Sequence, residues 1–358
     1  MEEMNEQREI RKSLYDISWQ VTEAEYRSDP AFSYSTLARF EREGFNNLNK
    51  LFDKIETPSL TFGSSVDTLL TDGIEAFNKQ FVVVDDYVLP SGSLIDITKR
   101  LYERFGDTYP IITEIPEDFI LEAIADINWN NHWQPKTRVK KIKEDCDAYY
   151  QVLKGIDGRT VIAQKDYKDA LECVHKLQSS PATRFYFEEN SPFDNNIERF
   201  YQLKFKTTVR DINYRCMADE LIVFHDKKIV IPIDLKTSSK PEWDFYKSFL
   251  DWRYDIQARL YHAIIKANMQ KDPYFKDFTL ANYRFIVISR YTMKPLVWTF
   301  PETICTSNLK IGDLMLRGPF VIAEELKDYL DNKSEIPKGI TEEEPNNITW
   351  WIRNKLNK

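Results

Sequence analysis

The sequence contains little cysteine and little glycine. Its four cysteines, at positions 146, 173, 216 and 305, are scattered and form no C-x-x-C pair. That spacing argues against a zinc ribbon, a locally spaced iron–sulfur cluster or a disulfide framework, and it is typical of a protein from a reducing compartment. Ten glycines among 358 residues are too few for a glycine-rich or collagen-like repeat.

Long apolar runs and an excess of positive charge are also absent. No stretch approaches the run of about 18 apolar residues that a membrane span needs, and the charged segment MEEMNEQREIRK is unlike a secretory signal. We therefore expect a cytoplasmic location and no membrane partner. Lys and Arg total 49 against 57 Asp and Glu, a net charge of −8. A polyanionic partner would have to be met by a local basic patch.

The residues that are present give the balance of a globular protein, with 42% apolar and 30% charged. Helical apolar spacing follows Ser33–Thr36 and again follows Phe62, and 80–90 is typical of a short strand. From about 94 to 180 the pattern is mostly helical and charged. The predicted organisation is a lead-in at 1–30, a main domain at 31–310 with a helical insertion at about 91–195, and a helical tail at 311–358.

A change of composition near residue 197 indicates a sheet. Segments rich in β-branched and aromatic residues, separated by turn signals, predict an antiparallel meander at 197–210, 213–225 and 228–237. A helix is predicted at about 242–270, and further strands at 283–290 and 295–300. These elements predict an α/β fold with a mixed central β-sheet, an antiparallel meander, flanking helices and a helical insertion.

The most informative segment is the hairpin formed by the second and third meander strands. If its turn is centred between Asp226 and Lys227, Asp219 lies directly across from Asp234, with Cβ atoms roughly 5 Å apart. A strand period of two puts Lys236 on the same face as Asp234. The alternate positions form a row that faces a core, namely Ile229, Ile231, Ile233 and Leu235.

Two facing carboxylates repel each other unless something neutralises them. A divalent cation does so, and Mg²⁺ typically takes one or two carboxylates together with water and phosphate oxygens. Lys236 beside it could orient or deprotonate an attacking water and stabilise charge on phosphorus, which is metal-assisted phosphodiester hydrolysis. The alternative is an exposed charged edge that limits aggregation. An acid inside the apolar segment IVIPIDL favours the buried role.

Taken together, these segments resemble the PD-(D/E)XK nuclease superfamily. The pattern consists of Ala218-Asp219, then Asp234-Leu235-Lys236, then a helix carrying Gln257 and Tyr261. The order of motifs is most similar to that of the RecE-like phage and prophage exonucleases of the exonuclease VIII type, which are related to λ exonuclease and the RecB nuclease domain. An early Ser-x-Ser helix at Ser33 and a late strand at Tyr283–Arg290 fit the same order. The resemblance covers about 30–90 and 195–300.

The resemblance implies a restriction-endonuclease-like core and assigns a role to each residue of the hairpin. Asp219 and Asp234 would bind Mg²⁺ or Mn²⁺, with help from the carbonyl of Leu235. Lys236 would be the catalytic lysine.

The helices contribute further candidates by the same resemblance. Gln257 and Tyr261 would support the site or contact the DNA backbone. Many members of the family place a metal-side His in the early helix where this chain has Asp67. An Asp can also bind Mg²⁺, so Asp67 is a candidate ligand, although it could mark a weakened site or a surface residue. Glu198 is a further candidate acid, with a surface role as the alternative.

Basic residues in two segments are candidates for contact with DNA. The densest run consists of Lys136, Arg138, Lys140, Lys141 and Lys143. This run could follow phosphates, although a charge run is also typical of a solvated helix face. The aromatic residues before it, which could stack on bases or serve packing, are Trp129, His132 and Trp133. Arg39 and Arg42 on the early helix could hold a 5′ phosphate.

The resemblance thus implies a Mg²⁺- or Mn²⁺-dependent deoxyribonuclease, acting as an exonuclease on double-stranded DNA ends in phage or prophage recombination. It would work in a bacterial cytoplasm, encoded by phage or host, as a ring-shaped homo-oligomer with a single-strand annealing protein as partner. One alternative is another enzyme of this fold, such as a repair, restriction-type or CRISPR-adaptation nuclease. A second is a catalytically silent module that binds DNA or protein.

Overall fold

The structure is a computed structural model that describes residues 11–331 except 54, 56, 91, 194–195, 302, 304–308 and 312–313. The chain divides into two compact units, the first made of Met1–Ile55 and Lys176–Lys358 and the second of Glu56–His175. Among the described residues, no helix combines the length and apolar character needed to cross a membrane.

Among the described residues, strands pair over long stretches only in the first unit. In chain order they are β1 Phe81–Val84, β2 Thr160–Ala163, β3 Ile197–Val209, β4 Ile212–Phe224, β5 Ile229–Ser238, β6 Thr279–Leu280, β7 Tyr283–Ser289, β8 Pro295–Phe300, β9 Leu309–Ile311 and β10 Leu314–Leu316. The central sheet has the order β3-β4-β5-β7-β8, with β6 also beside β5. β3, β4 and β5 form an antiparallel meander, β5 and β7 are parallel, and β7 and β8 are antiparallel. The predicted α/β fold with a mixed central sheet is therefore confirmed.

The central strands of this sheet are covered on both sides. Ile231 and Ile233, on the predicted apolar face of β5, are 7% and 1% exposed. Val230 on the other face is also buried and belongs to the main core of the unit. A strand with both faces covered needs apolar residues at nearly every position, which explains the continuous apolar run before Asp234.

The helices vary in length from two turns to five. In chain order they are α1 Glu23–Ser28, α2 Tyr34–Glu43, α3 Pro58–Thr71, α4 Gly73–Gln80, α5 Ser93–Phe105, α6 Glu117–Ile127, α7 Pro135–Asp145, α8 Asp147–Leu153, α9 Gln164–Ser179, α10 Phe245–Asp251, α11 Tyr254–Lys271 and α12 Pro319–Asp331. α11 packs against β3 and β4 through fully buried residues that include Leu260, Ile264 and Ile265. It is the helix that covers the sheet next to the paired acids.

The second unit is mainly helical. Its core is an apolar cluster to which α5, α6 and α7 contribute residues that include Ile97, Ile120 and Ile142. β1 and β2 form a short parallel pair. The sequence predicted a strand over all of 80–90, but β1 is shorter and is followed by a 3₁₀-helix at Asp86–Val88. β2 was missed, since its partner lies far away in the sequence.

Most predicted elements of the first unit are confirmed within a residue or two, including the meander, both late strands and the helix after Ser33. The predicted insertion at about 91–195 overlaps a unit that spans 56–175. The lead-in contains a 3₁₀-helix at Leu14–Ile17 and α1, and the tail contains α12. The rest of the predicted tail, 332–358, lies outside the described residues.

Candidate active site where the central sheet divides

The paired acids lie at a point where two strands separate. The ladder between β4 and β5 runs from Phe224 opposite Ile229 to Glu220 opposite Ile233, which is the register predicted from the sequence. The next position on each strand is Asp219 and Asp234. Beyond it, β4 pairs only with β3 in this sheet, whereas β5 continues beside β7. The sheet therefore divides at the two carboxylates.

Side-chain and local contacts replace the ladder at this fork. The backbone N–H of Leu235 donates to Oδ2 of Asp219 at 2.9 Å. Further along β4, the edge that β5 has left is taken by Phe32, whose N–H donates to the carbonyl of Asn213 at 2.9 Å. Its own carbonyl accepts from the N–H of Arg215 at 3.0 Å. The chain before α2 is thus held against β4 on the edge that β5 leaves.

Asp234 is the most buried acid of the fork, with 1% of its surface exposed. Its Oδ1 accepts a hydrogen bond from Nε2 of Gln257, and its Oδ2 forms an ion pair with Nζ of Lys236. Gln257 is itself buried on α11. Asp234 therefore contacts two other residues predicted for the site, Gln257 and Lys236.

The charges of the fork also act on the other residues predicted to belong to it. Burial opposes the charge of Lys236, but the carboxylates of Asp234 and Asp219 outweigh it and raise the pKa of the ammonium. Burial raises the pKa of Tyr261, and both carboxylates add to the effect. Tyr261 is buried on α11, four residues beyond Gln257 and on the same helix face.

The backbone is unusual directly opposite Asp219. Gln202 on β3 has a positive φ of 53°, and its pair with Asp219 is missing from an otherwise continuous ladder. The core includes even-numbered residues of β4 before Asp219, such as Ala218, and odd-numbered ones after it, such as Leu221. The alternation of side chains therefore changes phase here. Such local irregularities re-aim side chains and are frequent beside functional sites.

The predicted helix over 242–270 is interrupted, and the interruption sets the start of α11. Arg253 has a left-handed φ of 55° between α10 and α11. Its guanidinium donates to Glu41 at 2.7 Å and to Asp255 at 2.8 Å, all three being buried. Removing one partner from a buried ion pair costs about 3–5 kcal/mol, so this contact fixes the helix that carries Gln257.

The two arginines of the early helix have different surroundings. Arg42 lies with its guanidinium 5.0 Å from the ring centre of Trp252, a residue with half of its surface exposed. The carbonyl of Trp252 accepts a hydrogen bond from the Tyr34 hydroxyl at 2.8 Å, and the ring of Tyr34 lies 6.2 Å from that of Tyr254, which contacts Lys236. Arg39 is buried and donates to the backbone carbonyls of Lys50 and Asp53. These contacts tie it to the chain after α2.

The predicted basic run lies on α7 of the second unit. Lys140 and Lys141 pair with Glu144 and Asp145 one turn later, at 3.7 Å and 2.6 Å. Arg138 donates to Asn131 at 3.2 Å, and Lys136 is exposed in the first turn. Part of the positive charge of this run is therefore balanced on its own helix.

The two additional candidate acids lie in different places. Glu198 contacts Nε2 of His225 at 2.6 Å, opposite Val223 and near the turn of the hairpin. It is four ladder positions from the fork, so it is not part of the cluster around Asp234. Asp67 lies half-buried on α3 in the second unit, and its role as a ligand stays a prediction.

The donor set at the fork fits a hard divalent cation. Two carboxylates and the carbonyl of Leu235 are oxygen ligands of the kind that Mg²⁺ and Mn²⁺ prefer. Among the described residues, no three His, Cys, Asp or Glu side chains are grouped as a metal site. A cation here would rely on two carboxylates, with water or phosphate oxygens completing its shell, which is common for Mg²⁺.

Comparisons with known proteins give limited further information. No family model and no curated protein matches this chain. Among solved structures, the chain is similar to a crystal structure of a candidate exonuclease from Eubacterium rectale. The identity is 13%, the TM-score is 0.44, and the match covers 88% of this chain and 87% of the other. A likeness at this level carries no argument about activity, so the functional argument depends on the fork.

Proposed function

We propose that this protein is a metal-dependent DNA nuclease. The observation that carries the proposal is the fork itself, where Asp219 and Asp234 occupy adjacent arms of a divided sheet and Lys236 contacts Asp234 directly. A carboxylate pair of which one member is buried, beside an ammonium, is suited to phosphodiester hydrolysis, because this reaction builds negative charge on the phosphoryl oxygens.

Each residue of the fork has a task in this proposal. Asp219, Asp234 and the Leu235 carbonyl would hold Mg²⁺ or Mn²⁺, which when bound supplies positive charge and activates water. Lys236 stabilises negative charge that develops on the phosphate. Gln257 orients the carboxylate of Asp234 through its hydrogen bond.

Binding of DNA is assigned to basic residues near the fork and on α7. Arg42 would meet a phosphate, because it is half-buried and its guanidinium lies 5.0 Å from the ring of Trp252, a residue with half of its surface exposed. The α7 residues predicted from the sequence, which would bind phosphates of the DNA backbone, are Lys136, Arg138, Lys140 and Lys141. Neutralising phosphates supplies most non-specific affinity for DNA. Arg39 is left out of this assignment because carbonyl groups occupy its guanidinium.

The finer proposal follows the sequence resemblance. The substrate would be a double-stranded DNA end, degraded exonucleolytically during phage or prophage recombination. The assembly would be a ring of identical subunits, and the partner a single-strand annealing protein. The role of Asp67 as a metal ligand stays a prediction from the sequence.

The test uses linear duplexes labelled at the 5′ or the 3′ end, with a closed circular duplex as control. We expect the linear molecules to be digested in Mg²⁺ or Mn²⁺, the circle to survive, and EDTA to stop the reaction. Digestion of the circle would replace the exonuclease by an endonuclease. Digestion of linear DNA in EDTA would contradict the metal-dependent mechanism.

One observation favours a second candidate, a DNA-binding module without catalysis. Both carboxylate oxygens of Asp234 are engaged by protein groups, one by Gln257 and the other by Lys236. In a silent module this ion pair would serve stability alone. A wild-type protein that binds duplex DNA but digests none of it with Mg²⁺ or Mn²⁺ would support this candidate.

A further inference from the structure

An aromatic ring lies beside the ammonium of Lys236. Nζ of Lys236 is 4.9 Å from the ring centre of Tyr254 and 6.0 Å from that of Phe285. Both distances are within the range in which a cation is attracted to the face of an aromatic ring. The ammonium is therefore held by Asp234 and by two rings.

The ring of Tyr254 is itself fixed by packing. It stacks with Phe285 at 5.8 Å and an interplanar angle of 29°, and with Phe245 at 6.0 Å and 20°. Tyr34 closes the cluster at 6.2 Å. A ring packed against four others, the fourth being Phe249, has little freedom to turn, so the position that it offers to Lys236 is well defined.

Tyr254 is also coupled to the fork through its helix. It is the first residue of α11 and lies three positions before Gln257, so the two side chains share a helix face. Gln257 contacts Asp234, and Tyr254 contacts the lysine that pairs with Asp234. One helical turn thus reaches both the acid and its cationic partner.

We propose that Tyr254 is a positioning residue, whose ring face holds the ammonium of Lys236 in place for phosphodiester hydrolysis. This proposal rests on the proposed nuclease function. It assigns the task to the ring and not to the hydroxyl, because the contact with Nζ is made by the ring face.

The kinetic test compares Tyr254→Phe with Tyr254→Leu. The Phe variant keeps the ring and should retain wild-type kcat. The Leu variant should lose about tenfold in kcat, in line with the strength of a partly buried cation–π contact, with KM and DNA binding in EDTA unchanged. Equal activity of the Leu variant and the wild type would overturn the proposal.

Phe249→Leu is the matched control, because Phe249 belongs to the same aromatic cluster, at 6.4 Å from Tyr254, without a described contact to Lys236. It should show a kcat close to the wild type. A loss as large as that of Tyr254→Leu would assign the effect to general packing and would contradict the proposal.

A second measurement separates this proposal from the nuclease function. In protein carrying ¹³C-lysine, without metal or DNA, the ε-methylene signal of Lys236 should be shifted upfield by the nearby rings, and Lys236→Arg identifies it by its loss. The shift should persist in Tyr254→Phe and shrink in Tyr254→Leu, where only the more distant ring of Phe285 remains. An unshifted wild-type signal overturns the positioning by Tyr254, whereas a shifted signal in an inactive wild type overturns only the nuclease.

Discussion

Two buried acids, Glu220 on β4 and Asp234 on β5, lie one ladder position apart and point to opposite faces of the sheet. Asp234 contacts Gln257 and Lys236. Glu220, opposite Ile233, is 2% exposed, and neither of its carboxyl oxygens has a hydrogen-bond partner among the described residues. Burial raises the pKa of Glu220 to about 9, only partly offset by the charge of Arg199.

Asp234 and Glu220 belong to the same hairpin but have different surroundings. Asp234 faces a hydrogen-bond donor and a cation. At Glu220 burial dominates and the charge of Arg199 offsets it only partly, so the group is neutral at pH 7 and its ionisation costs stability. The two acids are almost equally buried, so their partners and not the depth of burial distinguish them.

The largest expected effect comes from replacing each of the two acids by its amide. Asp234→Asn should lower the rate of DNA digestion by more than about a hundredfold, because it removes a charge on which metal binding depends. Glu220→Gln should leave the rate within about twofold. Initial rates on a linear duplex in Mg²⁺ measure both. Comparable losses in the two variants would show that the faces are not functionally distinct.

The pH dependence of the free energy of unfolding tests whether the buried carboxyl group of Glu220 is neutral. The folded protein keeps a proton on this group that the unfolded chain loses above pH 4.5. The free energy of unfolding should therefore fall as the pH rises from about 4.5 to 9. Glu220→Gln removes this term and should be more stable than the wild type at pH 8.5 by a few kcal/mol, from about 1.4 kcal/mol per pKa unit.

The check is thermal unfolding of the wild type and Glu220→Gln at pH 6 and pH 8.5. The gap in Tm between the two proteins should widen at the higher pH. A gap that is independent of pH would mean that the carboxyl group is not buried in a neutral form.

A smaller effect is expected when Asp234 loses its neutral donor. Gln257→Ala should lower the free energy of unfolding by about 1–3 kcal/mol, since it leaves a buried carboxylate oxygen without its hydrogen bond. Asn268→Ala, on the same helix, removes a donor to the backbone carbonyl of Lys206 and is the matched control. Urea unfolding measures both, and a smaller loss for Gln257→Ala than for Asn268→Ala would contradict the prediction.

The smallest expected effect concerns the turn that sets the register of both acids. Lys228 has a left-handed φ of 51°, whereas Lys227 beside it does not. Lys228→Gly should raise the free energy of unfolding by up to about 1 kcal/mol, because glycine adopts this conformation without a steric penalty. Lys227→Gly should bring no gain. A loss of stability in Lys228→Gly would show that the side chain of Lys228 matters more than its backbone.

The register of the hairpin could be predicted from the sequence because short-range rules decide it. A turn at Asp226 and Lys227 and the alternation of isoleucines allow only one pairing that buries the apolar row. The break at Arg253 could not be predicted in this way. Its partner Glu41 is 212 residues away in the chain, and no glycine or proline marks the position.

The aromatic surroundings of Lys236 and the isolation of Glu220 were also beyond sequence reasoning. The sequence assigned no role to Tyr254, because its ring gains one only through packing with Phe245 and Phe285. Glu220 gave no signal, since an acid in an alternating strand is usually solvated. The rings around Lys236 and the missing partners of Glu220 both depend on which side chains pack against the two faces of the sheet.

The bridge between Phe32 and Tyr214 has a practical consequence for anyone who shortens this protein. Two backbone hydrogen bonds from a single residue occupy the strand edge that opens where the sheet divides. A version starting after Ser33 would leave those N–H and C=O groups exposed beside β4, and unpaired strand edges recruit strands from other molecules. Such a version should precipitate during purification even though every residue of the fork is still present.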